Sequence, residues 1–123
     1  MINIVTEFEV KDEARGEFEL AYGPGGAWSR LFATCAGFRG ITLLRDTEKP
    51  QRYLTIETWD TQAQRERILP DRQADYASIQ ARLADWTEGR TELGTFRVLA
   101  EAAVRPAVRG RGNKARGARR KGR

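Results

Sequence analysis

The chain has 123 residues, a length typical of one domain, with 32% charged residues and a formal net charge of +5. It has no histidine and one cysteine, Cys35, which excludes a Ser-His-Asp triad, a Cys-His pair, an ordinary zinc site and a disulfide framework. No apolar run approaches the roughly 20 residues of a membrane helix, and the N-terminus does not look like a secretory signal. We therefore expect a cytoplasmic protein without membrane contact.

The first third of the chain predicts one strand and two helices. Residues 2–10 alternate between apolar and polar side chains, which is typical of a strand with one apolar face. Asp12 can cap a following helix, which the Gly-Pro-Gly-Gly sequence at 23–26 ends. A second short helix then carries apolar side chains at helical spacing: Trp28, Leu31, Phe32 and Cys35. Cys35 is interpreted there as a small buried hydrophobe.

The rest of the domain predicts three strands and an interrupted helix. Segments 38–46 and 52–60 indicate two strands of a hairpin. Thr61 and Gln64 form a capping box for a helix that Pro70 interrupts. A longer helix then presents a stripe of Tyr76, Ile79, Leu83 and Trp86, and a last strand is predicted over 94–100.

This order predicts an α+β fold of the ferredoxin-like, split βαβ type, with a four-stranded antiparallel sheet and helices on one face. We expect the other face to mix apolar and polar side chains: Val5, Leu44, Tyr53, Trp59 and Leu99 with Glu7, Thr55, Glu57 and Arg97. A sheet face of that kind is not left bare. It predicts a homodimer in which two sheets close a barrel around a partly polar cavity.

Several of these segments resemble the antibiotic biosynthesis monooxygenase family. The likeness is carried by the helix followed by Tyr22-Gly23, by the Gly-Phe-Arg-Gly sequence at 37–40, and by Trp59 at the end of the third strand. It covers about residues 1–100 and leaves the remainder of the chain unmatched. The resemblance implies a cytoplasmic dimeric α+β barrel.

The family implies three possible activities. Some members oxidise aromatic polyketides or quinols with molecular oxygen and no metal or flavin cofactor, others degrade haem, and many have no demonstrated activity. The haem-degrading branch uses a histidine as axial ligand, and this chain has no histidine. Members also often place a histidine in the helix after the strand-ending tryptophan, where this chain reads TQAQRERILP (61–70).

Four aromatic residues are candidates for substrate binding. Trp59 takes the position of the family tryptophan, and Tyr53 precedes it on the same predicted face. Tyr22 and Trp28 flank the glycine-rich turn, and such side chains can stack on a planar ligand. The alternative is that all four are ordinary core residues.

Three charged residues are candidates for catalysis. Glu7 and Glu57 are predicted to share one sheet face, where two close carboxylates would favour one retaining its proton. The alternative is that Arg97 neutralises Glu7 and that Glu57 pairs across the dimer. Arg45 could orient an anionic substrate or lie in solvent, and Asn3 could donate to a substrate oxygen or lie at an exposed edge.

The end of the chain differs in composition. Nine of the 22 basic residues lie between Arg105 and Arg123 with no acid among them, which leaves 13 basic against 17 acidic residues in the first 104 positions. We predict a folded domain over 1–100 and a basic, disordered tail over 101–123. The tail could contact nucleic acid or another polyanion weakly, or be a dispensable extension.

The functional hypothesis is a monooxygenase without metal or organic cofactor that acts on a phenolic or quinol-like aromatic molecule. The alternative is a non-catalytic dimer that binds a small molecule or serves as a scaffold, with a polyanion-binding tail. The absence of histidine favours this alternative, because acid–base work then falls to Asp, Glu, Tyr, Lys or Cys.

Overall fold

The computed structural model describes residues 1–103, and its elements follow the predicted order. The strands are β1 (Ile2–Val10), β2 (Phe38–Arg45), β3 (Arg52–Trp59) and β4 (Thr87–Arg97). The helices are α1 (Arg15–Tyr22), α2 (Ala27–Phe32), α3 (Gln62–Glu66) and α4 (Ile68–Trp86), with a 3₁₀ turn at Asp12–Ala14. Nearly all of the predicted basic tail lies outside the described residues.

The four strands form one antiparallel sheet in the order β2-β3-β1-β4. The two central strands, β1 and β3, pair from Ile2 opposite Trp59 to Glu9 opposite Arg52. The apolar side chains of β1, among them Phe8 and Val10, are buried beneath the helices. This arrangement confirms the predicted ferredoxin-like α+β fold.

Strand β4 begins earlier than the sequence predicts. The sequence predicts this strand over 94–100, but Thr87 already pairs with Val10. The ladder slips by one residue opposite the Val5/Thr6 step, and Gly94 has a φ of 138° there. Glycine therefore marks a bulge within the strand rather than its start.

The predicted faces of β3 are reversed in the structure. Its register places Tyr53 opposite Phe8, Thr55 opposite Thr6, Glu57 opposite Ile4 and Trp59 opposite Ile2, so these four side chains lie on the helix-covered face. The bare face carries Val5, Leu54 and Ile56 instead, with Glu7. Arg97 lies opposite Ile2, on the helix side, and Leu99 follows the strand. The expectation that Tyr53, Thr55, Glu57, Trp59 and Arg97 share a face with Val5 and Glu7 is wrong.

The segment after β3 is helical but broken. Thr61 caps α3, because its hydroxyl accepts a hydrogen bond from the backbone N–H of Gln64 at 3.1 Å. Near the predicted break at Pro70, Arg72 has non-helical dihedrals. Its guanidinium donates to the Leu31 carbonyl at 3.2 Å, which ties α4 to the end of α2. Among the described residues no helix is both long enough and apolar enough to cross a bilayer.

An aromatic cluster fills the space between the helices and the sheet. Phe18 of α1 is fully buried and packs 5.0 Å from Tyr53 and 5.3 Å from Phe8, centroid to centroid. Leu20, two residues later on the same helix, is 75% exposed. The helix therefore offers one face to the core and the other to solvent.

Replacing Phe18 with Ala should lower the free energy of unfolding by about 3–5 kcal/mol, because it removes a fully buried ring and leaves a cavity. Leu20→Ala is the matched control on the same helix and should change it by less than about 0.5 kcal/mol. Urea unfolding at one protein concentration measures both variants. Equal losses would show that α1 does not bury Phe18 as described.

Candidate functional site

A cavity lies between the helix-covered face of the sheet and the helices above it. It has a volume of about 280 Å³. Its floor comes from alternating residues of the strands: Ile4, Thr6, Phe8, Ile41, Thr55, Glu57 and Thr95. Its cover and rim come from the helices and from the charged part of β4: Tyr22, Trp28, Gln62, Arg65, Glu66, Tyr76, Gln80, Arg90 and Glu92.

One wall of the cavity is aromatic. The rings of Tyr22 and Trp28 are 6.1 Å apart, and Tyr76 meets Trp28 edge-on at 5.4 Å. Phe32 stacks on Trp28 at 5.6 Å with an interplanar angle of 22°. Because Trp28 is packed on two sides, its ring is held in one orientation, and the wall suits a planar apolar ligand.

The glycine-rich turn is what brings two of these rings together. Tyr22 is the last residue of α1, and Trp28 is the second residue of α2. A β-carbon at Gly26 would run into the carbonyl oxygens of Leu20 and Ala21, so the chain can fold back this tightly only with glycine there. The turn thus places both aromatic side chains at one cavity wall.

A largely buried ion pair also lines the cavity, next to Tyr76. Arg65 Nε donates to Glu57 Oε1 at 2.8 Å, and the two side chains are only 16% and 17% exposed. Trp59 Nε1 donates to the same carboxylate oxygen at 2.6 Å, and Arg65 Nη2 donates to the Tyr76 hydroxyl at 3.1 Å. Burial alone would lower the pKa of Arg65, but Glu57 and Tyr76 outweigh it and raise that pKa. A permanent positive charge therefore lines the cavity.

A second guanidinium lies at the β4 side. Arg90 donates to Gln80 Oε1 at 2.7 Å and to Glu92 at 3.2 Å, and it lies 5.7 Å from the centroid of the Phe8 ring. Burial raises the pKa of Tyr22 well above its ordinary value, although Arg90 and the N–H of Trp28 act in the opposite direction. Tyr22 is therefore a neutral hydroxyl near pH 7.

Three of the seven predicted site residues line the cavity: Tyr22, Trp28 and Glu57. Glu7 lies on the bare sheet face and accepts a hydrogen bond from Arg52 at 2.8 Å. The predicted carboxylate pair is wrong, because side chains alternate along strands and the β1–β3 register puts Glu7 and Glu57 on opposite faces. The predicted ion-pair partners are wrong as well. Glu7 pairs with Arg52 and not with Arg97, and Glu57 pairs with Arg65 of its own chain and not with a residue across a dimer.

Tyr53 and Arg45 lie near each other outside the cavity. Both contact the carboxylate of Glu19, the tyrosine through a short hydrogen bond from its hydroxyl and Arg45 at 3.4 Å. With Glu19 they border a separate open depression on the surface. Tyr53 is otherwise buried against Phe18.

The remaining candidates have structural surroundings. Trp59 is fully buried, with its ring 5.4 Å from Phe32 and 5.3 Å from Phe38, and it reaches the site only through its hydrogen bond to Glu57. Asn3 accepts a hydrogen bond from Thr58 on the bare face. Cys35 is a half-buried free thiol.

Sequence reasoning missed Arg65, Tyr76 and Arg90 as parts of the site. Arg65 lies in the segment where the family often has histidine, so a cation there was the available signal. Glu57 was the other signal, because a carboxylate on the covered face of a central strand needs a positive partner. Nothing in the local pattern singles out Arg90, which the bulged strand brings to the cavity.

The side chains do not suit a metal or a histidine-ligated haem. Within residues 1–103 no group of three or more His, Cys, Asp or Glu side chains could hold an ion. The whole sequence lacks histidine. The polar groups of the cavity are instead two guanidiniums, carboxylates, amides and phenols, which bind and orient organic molecules.

Replacing Arg65 with Met should lower the free energy of unfolding by about 2–3 kcal/mol, because it leaves the Glu57 carboxylate without its buried partner. Adding Glu57→Gln to that variant should recover part of the loss, which a double-mutant cycle in urea measures. Arg39→Met, which breaks the exposed pair with Asp60, is the control and should have little effect. Additive effects of the two cavity substitutions would contradict the pairing.

The chain was compared with known proteins by sequence and by structure. The sequence model for antibiotic biosynthesis monooxygenase matches residues 1–69. None of the curated protein sequences matches the chain.

Solved structures share the fold. A variant of SnoaB, a cofactor-independent oxygenase from Streptomyces nogalater, has 25% identity and a TM-score of 0.68 over 81% of this chain and 94% of its own. The haem degrader MhuD from Mycobacterium tuberculosis has 22% identity and a TM-score of 0.59 over 84% and 100%. A conserved protein from Methanosarcina mazei Go1 has 19% identity and a TM-score of 0.60 over 78% and 90%. Since the family's sequence model covers more than half of the residues, the chain belongs to the antibiotic biosynthesis monooxygenase family.

Proposed function

We propose that this protein is a monooxygenase that needs no metal or organic cofactor and oxidises a planar phenolic or quinol-like molecule in the cavity of each chain. The observation that carries the proposal is the cavity itself, which is lined by aromatic rings and by a largely buried, permanently charged guanidinium. Family membership and the likeness to SnoaB, a cofactor-independent oxygenase, support it.

The cavity side chains can support an oxidation by molecular oxygen. An electron-rich aromatic anion can pass electrons to oxygen directly, so the task of the protein is to bind the substrate and stabilise its anion. Arg65 and Arg90 lie at the cavity and would stabilise negative charge on a phenolate or enolate oxygen away from bulk water. Glu57 already accepts hydrogen bonds from Trp59 and Arg65, so its role is to hold Arg65 in place.

The overall reaction balances without a further reductant. For a substrate with an activated ring methylene, two C–H bonds break and a C=O bond forms with one atom of O₂. The other oxygen atom leaves as water with the two hydrogens. The substrate supplies every electron that this conversion requires.

A binding or scaffold protein is the second candidate. The observation that favours it is that both cavity guanidiniums are already paired within the chain, Arg65 with Glu57 and Arg90 with Glu92. Such a protein would bind the same aromatic molecules and leave oxygen unconsumed.

Oxygen uptake with hydroquinones, naphthols and anthrones, each compared with its autoxidation rate, separates these two functions. We expect acceleration by the parent protein and at least a tenfold smaller rate for Ile41→Trp, because Ile41 lines the cavity and an indole there would fill it. Leu43→Trp is the matched control, since Leu43 lies on the same face of β2 but borders a different depression.

Three results would count against the monooxygenase. Acceleration that survives Ile41→Trp would move the reaction away from the cavity. No acceleration with any compound, together with ligand-induced thermal stabilisation, would favour the binding protein. The absence of both faster oxygen uptake and thermal stabilisation, with every compound, would contradict both functions.

We also propose that two chains associate through their bare sheet faces, in the reducing cytoplasm. The face carries apolar side chains from all four strands: Val5, Leu44, Leu54, Ile56 and Phe96, of which Phe96 is 52% exposed. Two of its polar side chains already have partners within the chain, as Glu7 has Arg52 and Asn3 has Thr58. A second copy could therefore cover the face without leaving these groups unsatisfied.

Ile56→Glu should convert a dimer into a monomer, because it places a carboxylate at the centre of the apolar face. Light scattering coupled to size-exclusion chromatography measures the mass. Leu20→Glu, on the exposed side of α1, is the control and should leave the mass unchanged. A parent protein that is monomeric at all concentrations, or a dimer that only Leu20→Glu disrupts, would overturn the interface.

A further inference from the structure

An open groove between α2 and α4 is lined by three arginines: Arg30, Arg72 and Arg82. It has a volume of about 280 Å³ and shares no lining residue with the aromatic cavity. The proposed oxidation makes no use of it. The groove is therefore a separate place on the molecule where a ligand can be bound.

The charges of these arginines are not neutralised by neighbouring acids. Within residues 1–103 the ion pairs involve six other arginines: Arg15, Arg39, Arg45, Arg52, Arg65 and Arg90. A carboxylate, that of Asp75, borders the groove without joining any of these pairs. The groove thus combines three positive charges with one negative charge, which favours an anion of more than one charge.

Two of the guanidiniums are held in place by neutral groups. Arg72 donates to the Leu31 carbonyl at 3.2 Å and to the Thr34 hydroxyl at 2.9 Å, and Arg30 donates to the Gly25 carbonyl. Arg72 lies at the break in α4, with φ of −124° and ψ of 21°, and the break brings it to the end of α2. Because these side chains are already ordered, less conformational entropy is lost when an anion binds them.

The α4 side of the groove follows from helical spacing. Asp75, Ser78, Ile79 and Arg82 recur at intervals of three and four residues, so they lie on one face of the helix. The buried side chains of Ile79 and Leu31 line the groove beneath the polar groups. Ser78 and Arg82 are exposed, so the hydroxyl and the third guanidinium are accessible to a bound anion.

We propose that this groove binds a phosphoryl group, which Arg30, Arg72 and Arg82 hold. A guanidinium donates two parallel N–H groups to the oxygens of a phosphate, and it keeps its charge at every physiological pH. A phosphate dianion offers several acceptor oxygens at once and matches the excess of positive charge. The site goes beyond the proposed function, because none of its residues belongs to the cavity.

Titration of the ¹⁵N-labelled 123-residue chain with inorganic phosphate tests this site. The backbone amide signals of Ser78, Ile79 and Arg82 report binding at the groove, so it is distinguished from phosphate attracted to the basic end of the chain. We expect these signals to shift and to saturate with phosphate. Sodium chloride at the same ionic strength should not shift them, because chloride has one charge and no set of oxygens to accept the hydrogen bonds.

Two substitutions in the groove should act in opposite directions. Arg82→Gln should raise the dissociation constant for phosphate about tenfold, because it removes a charged donor from an exposed position. Asp75→Asn should lower it about threefold, because it removes a negative charge next to the bound anion. Arg97→Gln, which removes the same charge from an exposed residue of β4 outside the groove, is the matched control and should leave it unchanged.

Free phosphate and phosphorylated organic molecules share this chemistry, and phenyl phosphate separates them. Tighter binding of phenyl phosphate than of inorganic phosphate would assign the groove to an organic phosphate whose body lies on Leu31 and Ile79. Equal affinities would assign it to phosphate itself, and either result supports the site.

Three results would overturn the site. Amide signals that stay in place throughout the phosphate titration would show that the groove is empty. Equal weakening by Arg82→Gln and Arg97→Gln would reduce the effect to the overall charge of the chain. An affinity that does not rise in Asp75→Asn would show that the charges of the groove do not act on the anion. Oxygen uptake involves other residues, so its outcome is independent of this one.

Discussion

Much of the architecture depends on one electrostatic constraint, the placing of the Glu57 carboxylate on the covered face of a central strand. A negative charge among aromatic rings is costly unless a positive group and hydrogen-bond donors meet it. Arg65 and Trp59 do so at 2.8 and 2.6 Å, and Arg65 also reaches Tyr76 on α4. The ion pair thereby positions α3 over the sheet and links it to α4.

The cavity exists because the side chains at the centre of the helix-covered sheet face are small. Thr6 and Thr55 lie opposite each other, both buried, while aromatic residues fill the space on either side of them. Larger residues there would have produced a solid core. Because Gly26 lets the chain turn back sharply, Tyr22 and Trp28 form a wall beside this gap instead of filling it.

The sequence predicted the element order, the sheet and the Thr61 cap, because strand alternation and capping are local properties. The predicted cap at Asp12 was wrong, because neither the 3₁₀ turn nor α1 has a side-chain cap. It was less informative for β3, where both alternating sets contain large hydrophobic residues. Leu54 and Ile56 look like core, and Tyr53 and Trp59 look like a mixed surface, so the two faces were exchanged. The register against β1 and the partner of Glu57 decide between them, and that partner, Arg65, comes from another element. Tyr22 and Trp28 were identifiable because the turn that joins them is local.

Strand β3 serves two surfaces at once. Its residues 53, 55, 57 and 59 build the core and the cavity floor, and 54 and 56 build the bare face that faces away from the helices. Substitutions can therefore alter one surface without touching the other, so ligand choice and the outer face of the sheet are free to diverge independently. The length of the strand has no such freedom, because inserting or deleting a single residue would exchange the two sets and send the carboxylate to the wrong side.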